Sequence, residues 1–102
     1  MKVDIVNALC FAIYDYKVEV FQSIFTVLND VQAVRMFVDA AKDKDTVINR
    51  HPKDFALVRL GRVSTGTGKL YAEEPAPKFL GSAYSYLADA EDSLVAETES
   101  GK

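Results

Sequence analysis

The sequence predicts an α+β domain: a four-stranded antiparallel sheet in ββαββ order, one helix packed on it, and a C-terminal helix leading into an acidic tail. Three observations carry this. Two β-rich runs, Leu9–Tyr16 and Glu19–Leu28, are separated by only two residues. A segment with helical spacing follows, opened by Asn29-Asp30. Two further β-rich runs, Phe55–Val63 and Lys69–Glu73, flank a glycine-containing loop. The 102 residues are a single-domain length. The composition break places the domain at 1–88 and the acidic tail at 89–102.

In the first run, Leu9, Phe11 and Ile13 alternate with Cys10, Ala12 and Tyr14, the period of a strand. The apolar stretch that leads into it, Val3–Ala12, is interrupted by Asp4 and Asn7 and has no cleavage signature. No stretch of the chain reaches the roughly 18 apolar residues of a membrane span. Asp15-Tyr16-Lys17 turns the chain into the second run, rich in Val, Ile, Phe and Thr. Strands joined so tightly pair antiparallel.

Asn29 with Gln32 three residues later has the form of a capping box. Val31, Val34, Val38 and Ala41 then follow at 3-4-3 spacing, with Phe37 flanking, the pattern of an amphipathic helix that stops near Asp43–Asp45. Lys42 and Lys44 suit its negative pole. Asn49–Asp54 reads as a loop marked by Pro52. Ser64–Gly68 reads as a hairpin loop between strands three and four. Glu74-Pro75-Ala76-Pro77 cannot continue a sheet, because proline lacks a donor. A last helix is expected from about Phe79, with Leu80, Ala83, Leu87, Ala90 and Leu94 as its seam. Strand three is apolar on both parities, so both faces of the sheet need cover, from a second helix or from another subunit in a homo-oligomer.

Charge divides unevenly. Residues 1–80 carry 11 Lys/Arg against 10 Asp/Glu, whereas residues 81–102 carry Lys102 against five acids. A near-neutral body does not by itself announce nucleic acid. The single cysteine, Cys10, excludes an internal disulfide, fits a reducing compartment and reads as a small buried hydrophobe.

Enzymatic constellations are missing. Gly61-x4-Gly66 is followed by Thr67 instead of lysine, and it lies between two strands, so it is a hairpin loop and not a nucleotide-binding P-loop. His51 and Cys10 are too few for a zinc site, and His51-Pro52 reads as the entry to strand three. Asp39, Asp43 and Asp45 lack the spacing of a calcium loop and read as a solvated helix face. No catalytic residue, metal or cofactor is expected.

The set with chemical content is aromatic and basic: Tyr14, Tyr16, Arg59, Arg62, Lys69 and Tyr71. Single-stranded nucleic acid is bound by stacking bases on rings beside cations that track phosphates. Alternation puts Tyr14 with Tyr16, and Lys69 with Tyr71, on common faces. Arg59 and Arg62 differ in parity, and a bulge at Gly61 would bring them together.

Several blocks, in order, resemble a known family. They are Ile13-Tyr14-Asp15-Tyr16-Lys17-Val18-Glu19, Ala33-Val34-Arg35-Met36-Phe37-Val38-Asp39, His51-Pro52-Lys53-Asp54-Phe55 running to Leu60-Gly61, Thr67-Gly68-Lys69-Leu70, and Pro77 with Leu80-Gly81. The chain resembles the small non-structural protein of gokushoviruses, microvirus phages with single-stranded DNA genomes. The likeness spans about residues 11–81, and departs from the family where Arg62-Val63-Ser64 stands in place of an acidic stretch. It implies a DNA-binding protein, not a capsid component, that acts in the cytoplasm of the infected bacterium during production of the single-stranded genome. Tyr14, Tyr16 and Tyr71 would then stack on bases and Arg59, Arg62 and Lys69 meet phosphates. The alternative is a protein–protein regulator without DNA contact. It would bind a phage or host replication factor through the Leu80–Leu94 seam or the acidic tail. That tail would otherwise compete with DNA or serve solubility.

Overall fold

A computed structural model describes residues 7–89. Its elements are β1 (Asn7–Asp15), β2 (Val20–Val27), α1 (Asp30–Lys42), α2 (Val47–Arg50), a 3-10 turn (Pro52–Asp54), β3 (Phe55–Ser64), β4 (Leu70–Ala72) and β5 (Lys78–Ser82). Residues 83–89 are helical. The α+β class and the antiparallel sheet are as expected, with strand order β2-β1-β3-β4.

The largest difference is near the C-terminal end. The sheet has a fifth strand, β5, where the last helix was expected to begin. The three residues of β4 pair with β3 only at Gly61–Val63. The lower half of the same edge, Ala56–Arg59, would leave its backbone groups unpaired. Lys78–Ser82 fills it, with Val58 opposite Phe79 and Arg59 opposite Lys78. The Glu74–Pro77 stretch separates β4 from β5, as its two prolines require. Helix therefore begins at 83, and Ala90 and Leu94 of the expected seam lie outside the described residues, as does nearly all of the acidic tail.

Local chemistry explains the other junctions. Asp15 closes the turn into β2: its carboxylate accepts from Lys17 N at 2.9 Å and its carbonyl from Glu19 N at 2.7 Å. Asn29 caps α1, accepting from Gln32 N at 2.9 Å, while Gln32 Oε1 reaches back to Leu28 N at 3.0 Å. That is the expected reciprocal cap, returned one residue earlier than the usual box. The expected loop after α1 holds a short helix, whose start is fixed by Thr46 Oγ1 accepting from Asn49 N at 3.1 Å. Ser64–Gly68 is the expected hairpin loop, with Gly68 at φ +80 and its N–H on the Ser64 carbonyl at 2.7 Å.

The buried face of α1 centres on the flanking Phe37, with Ala41 and partly buried Val34 of the expected set beside it. Ala33, Phe37 and Ala41 are its buried residues, and Val31 is 65% exposed. The two alanines let the helix approach the sheet while Phe37 fills the space between. Around Phe37 lie Phe11, Leu57, Ile48, Phe55 and Ala83. Burying one such aromatic contributes roughly 1.5–3 kcal/mol. Leu80, Tyr86 and Leu87 pack on this same cluster, and the Tyr86 ring stands edge-on to Phe37 at 6.1 Å. α1 and the segment 83–89 thus cover one face together.

Side chains roof the opposite face. Ala12, Ala56 and Val58 are almost wholly buried there. Phe21 on β2 and Phe79 on β5 are anchored three strand positions apart, about 14 Å in a flat sheet. Their ring centroids are nevertheless 6.2 Å apart, with Tyr14 between them at 4.7 and 5.5 Å. The rings lean inward over the small residues of the middle strands. Phe21 and Phe79 themselves remain 38% and 45% exposed, so this face of the sheet carries an aromatic patch at its surface.

Candidate nucleic-acid interface

The site begins with one extra residue. Along β1 and β3, Cys10 pairs with Gly61 and Phe11 with Arg59, leaving Leu60 without an opposite number. This is the expected bulge. It restores Arg59 and Arg62 to one side of the strand, where both line an open cavity of about 320 Å³ with Leu9, Gly61, Tyr71 and Glu73. Glycine is required at 61 because a Cβ there would run into the Tyr71 carbonyl oxygen. The close approach of β4 depends on it.

Arg62 and Tyr71 are directly paired across β3 and β4. The guanidinium carbon lies 4.2 Å from the Tyr71 ring centroid, and Lys69 Nζ lies 5.2 Å from it. Both cations are exposed and the ring is half-buried. An aromatic ring flanked by two cations can take a base against its face or edge and a phosphate beside it.

Arg59, expected among the phosphate contacts, is held in two ion pairs. Its Nε and Nη2 donate to the two Glu73 oxygens at 3.0 Å each, and Nη1 donates to both Asp30 oxygens at 3.0 and 2.8 Å. The side chain is 18% exposed. Hydrogen bonding to Glu73 and then to Asp30 raises the guanidinium pKa still further. The same bonds from Arg59, reinforced by the charges of Arg59, Lys78 and Arg62, hold the Glu73 carboxyl below its usual range against the opposing effect of burial. Asp30 also opens α1, where negative charge suits the dipole. Arg59 therefore ties the helix, β3 and the exit of β4 together, with its charge neutralised.

Tyr14 and Tyr16 lie elsewhere again. Phe11 and Ile13 point under α1, so Tyr14 points away. Its ring meets Tyr16 edge-on at 5.2 Å and joins Phe21 and Phe79. Tyr14 is opposite Ala56 on β3, six residues from Arg62, or about 20 Å along a strand. The six expected residues thus divide. Arg62, Lys69 and Tyr71 form one cluster, with Arg59 behind it as its brace. Tyr14 and Tyr16 belong to the far end of the other face. Sequence reading missed Phe79 in that group because Phe79 was assigned to a helix.

Asp43 Oδ1 accepts from Asp45 N at 2.9 Å, so that acidic stretch is a turn. Among the described residues, no group of three His, Cys, Asp or Glu side chains is placed to hold a metal ion. Among them also, no helix is long and apolar enough to cross a membrane.

The chain belongs to a phage family: the family model described as Phage ORF5 protein matches residues 8–86. No curated protein and no solved structure matches it.

Proposed function

We propose that this phage protein binds single-stranded DNA without sequence preference, as a non-structural protein assisting production of the single-stranded genome in the host cytoplasm. The observation that carries the reading is the Tyr71 ring with Arg62 and Lys69 against it on an exposed sheet edge. Stacking on a ring is indifferent to base identity, since every base has a π face. Two cations beside the ring meet the backbone on either side of a stacked base.

The packing of the C-terminal seam also supports this reading over a protein–protein regulator. Leu80, Ala83 and Leu87 are spent on the core, which leaves this part of the seam no apolar stripe to offer a partner. The described residues hold ten Lys/Arg and ten Asp/Glu. Attraction for DNA therefore depends on local placement and is expected to be weak to moderate.

The test is fluorescence anisotropy of a labelled single-stranded oligonucleotide at low and moderate salt, with duplex as competitor. Saturable binding that prefers single strands and fades with salt supports the reading. A folded sample that shows no binding at low salt removes it and turns attention to a protein partner.

A further inference from the structure

A second ring-and-cation cluster lies at the other end of β3. Lys53 Nζ sits 4.8 Å from the centroid of the Tyr84 ring, which is 50% exposed. An open cavity of about 330 Å³ runs between Arg50, His51, Pro52, Lys53, Asp54 and Tyr84. The position of each part has a cause. Ile48 anchors α2 in the core, so Arg50 and His51 at its end face outward. Pro52 opens the 3-10 turn that carries Lys53. Ala83 is wholly buried, and its neighbour Tyr84 is turned to the surface. Tyr16 N donates to the Asp54 carbonyl at 2.9 Å and ties this segment to the end of β1.

The cations here differ from Arg59. Among the described residues Arg50 and Lys53 enter no ion pair, whereas Arg59 enters two. One carboxylate, Asp54, lines the cavity beside them. The cluster therefore repeats the chemistry of Tyr71 with Arg62 and Lys69. Phe55, where this end begins, is seven residues from Arg62, about 23 Å along the strand. A mononucleotide cannot touch both clusters, whereas a flexible chain of several nucleotides can.

We propose that Arg50, Lys53 and Tyr84 form a second contact for the same single strand that meets Tyr71, so that one domain engages DNA at both ends of β3. The inference rests on the single-strand reading of the Tyr71 cluster. It adds a quantity that the first cluster alone does not give. Each phosphate met on a single strand contributes about −0.7 to the slope of log K against log salt. Two cations give about −1.4, and four give about −2.8.

The experiment is the salt dependence of binding of the full chain to a sixteen-nucleotide oligothymidylate. Its variants are Arg50→Gln with Lys53→Gln, Tyr84→Ala, and Arg62→Gln with Lys69→Gln, each checked for folding by circular dichroism. The parent slope is expected near −2.8, falling to about −1.4 in either double variant. Tyr84→Ala is expected to weaken binding about tenfold with the slope unchanged, since it removes stacking and no charge. A parent slope near −1.4 that only the Arg62 and Lys69 changes reduce would overturn the second contact and leave the first standing. Loss confined to the Arg50 and Lys53 changes would instead overturn the Tyr71 cluster and put the strand at this end. No binding by any form removes both.

Discussion

The guanidinium of Arg62 lies 4.2 Å from the centre of the Tyr71 ring, and the two residues face each other directly across β3 and β4. The ladder sets their spacing, so the pair exists before any ligand arrives. In the proposed complex a base stacking on Tyr71 would take the place of one of these cations on the ring, and the displaced cation would stay within reach of a phosphate.

Tyr71→Ala is expected to weaken single-strand binding by about 1–3 kcal/mol, the range for loss of one base–aromatic stack. Tyr71→Phe keeps the ring and should retain most of the affinity. Anisotropy titrations of the two variants side by side separate stacking from any role of the hydroxyl. Equal loss in both would argue against stacking.

Arg59→Gln is expected to cost stability more than DNA affinity. It leaves Glu73 and Asp30 without their shared cation. Losing the cation of a fully buried pair costs about 3–5 kcal/mol. Asp30 is 41% exposed and Glu73 22%, so solvent screening lowers the expected cost to about 1–2 kcal/mol. Urea denaturation measures it. A variant that folds as stably as the parent yet loses DNA would return Arg59 to the phosphate contacts.

Acid should act through Glu73. Its folded-state pKa is depressed by Arg59, so its share of stability is complete above the ordinary glutamate value, about 4.3, and is lost as pH falls through the folded value. The stability gap between parent and Glu73→Gln is therefore expected to be widest near neutrality and to close at strongly acidic pH. Denaturation at a series of pH values reads this out. A gap that stays constant would mean that the ion pair contributes nothing.

Gly61→Ala is expected to push β4 off β3, because the new Cβ meets the Tyr71 carbonyl oxygen. Overpacking of this kind costs about 1–3 kcal/mol. It should also weaken DNA binding, since Tyr71 moves with its strand. Thermal melting and anisotropy on the same sample test both, and an unchanged melt would show that the edge strand yields freely.

Much of the fold was legible because its signals are local. Asn29 with Gln32, the turn at Asp15 and the loop ending at Gly68 each act within a few residues, and each formed as its chemistry requires. Phe79 was not legible. Its helical spacing with Leu80, Ala83 and Leu87 competed with the open edge of β3 at Val58, and pairing a bare edge prevailed. In α1 the valines at helical spacing mark the helix, whereas the centre of its buried face depends on where Phe37 and the two alanines fit against the sheet.

The site shows the same division. Sequence alone determined the candidates, because residue type decides what stacks and what carries charge. It also pointed to Gly61 as the place where Arg59 and Arg62 come to one side. Only the tertiary structure decided which candidates share a surface and which charges are free. Asp30 and Glu73, which neutralise Arg59, are 29 and 14 residues away in the chain. Arg50, Lys53 and Tyr84 meet across a similar separation. Strand register and helix rotation set such distances, and one unpaired residue at Leu60 is enough to change which side chains face each other.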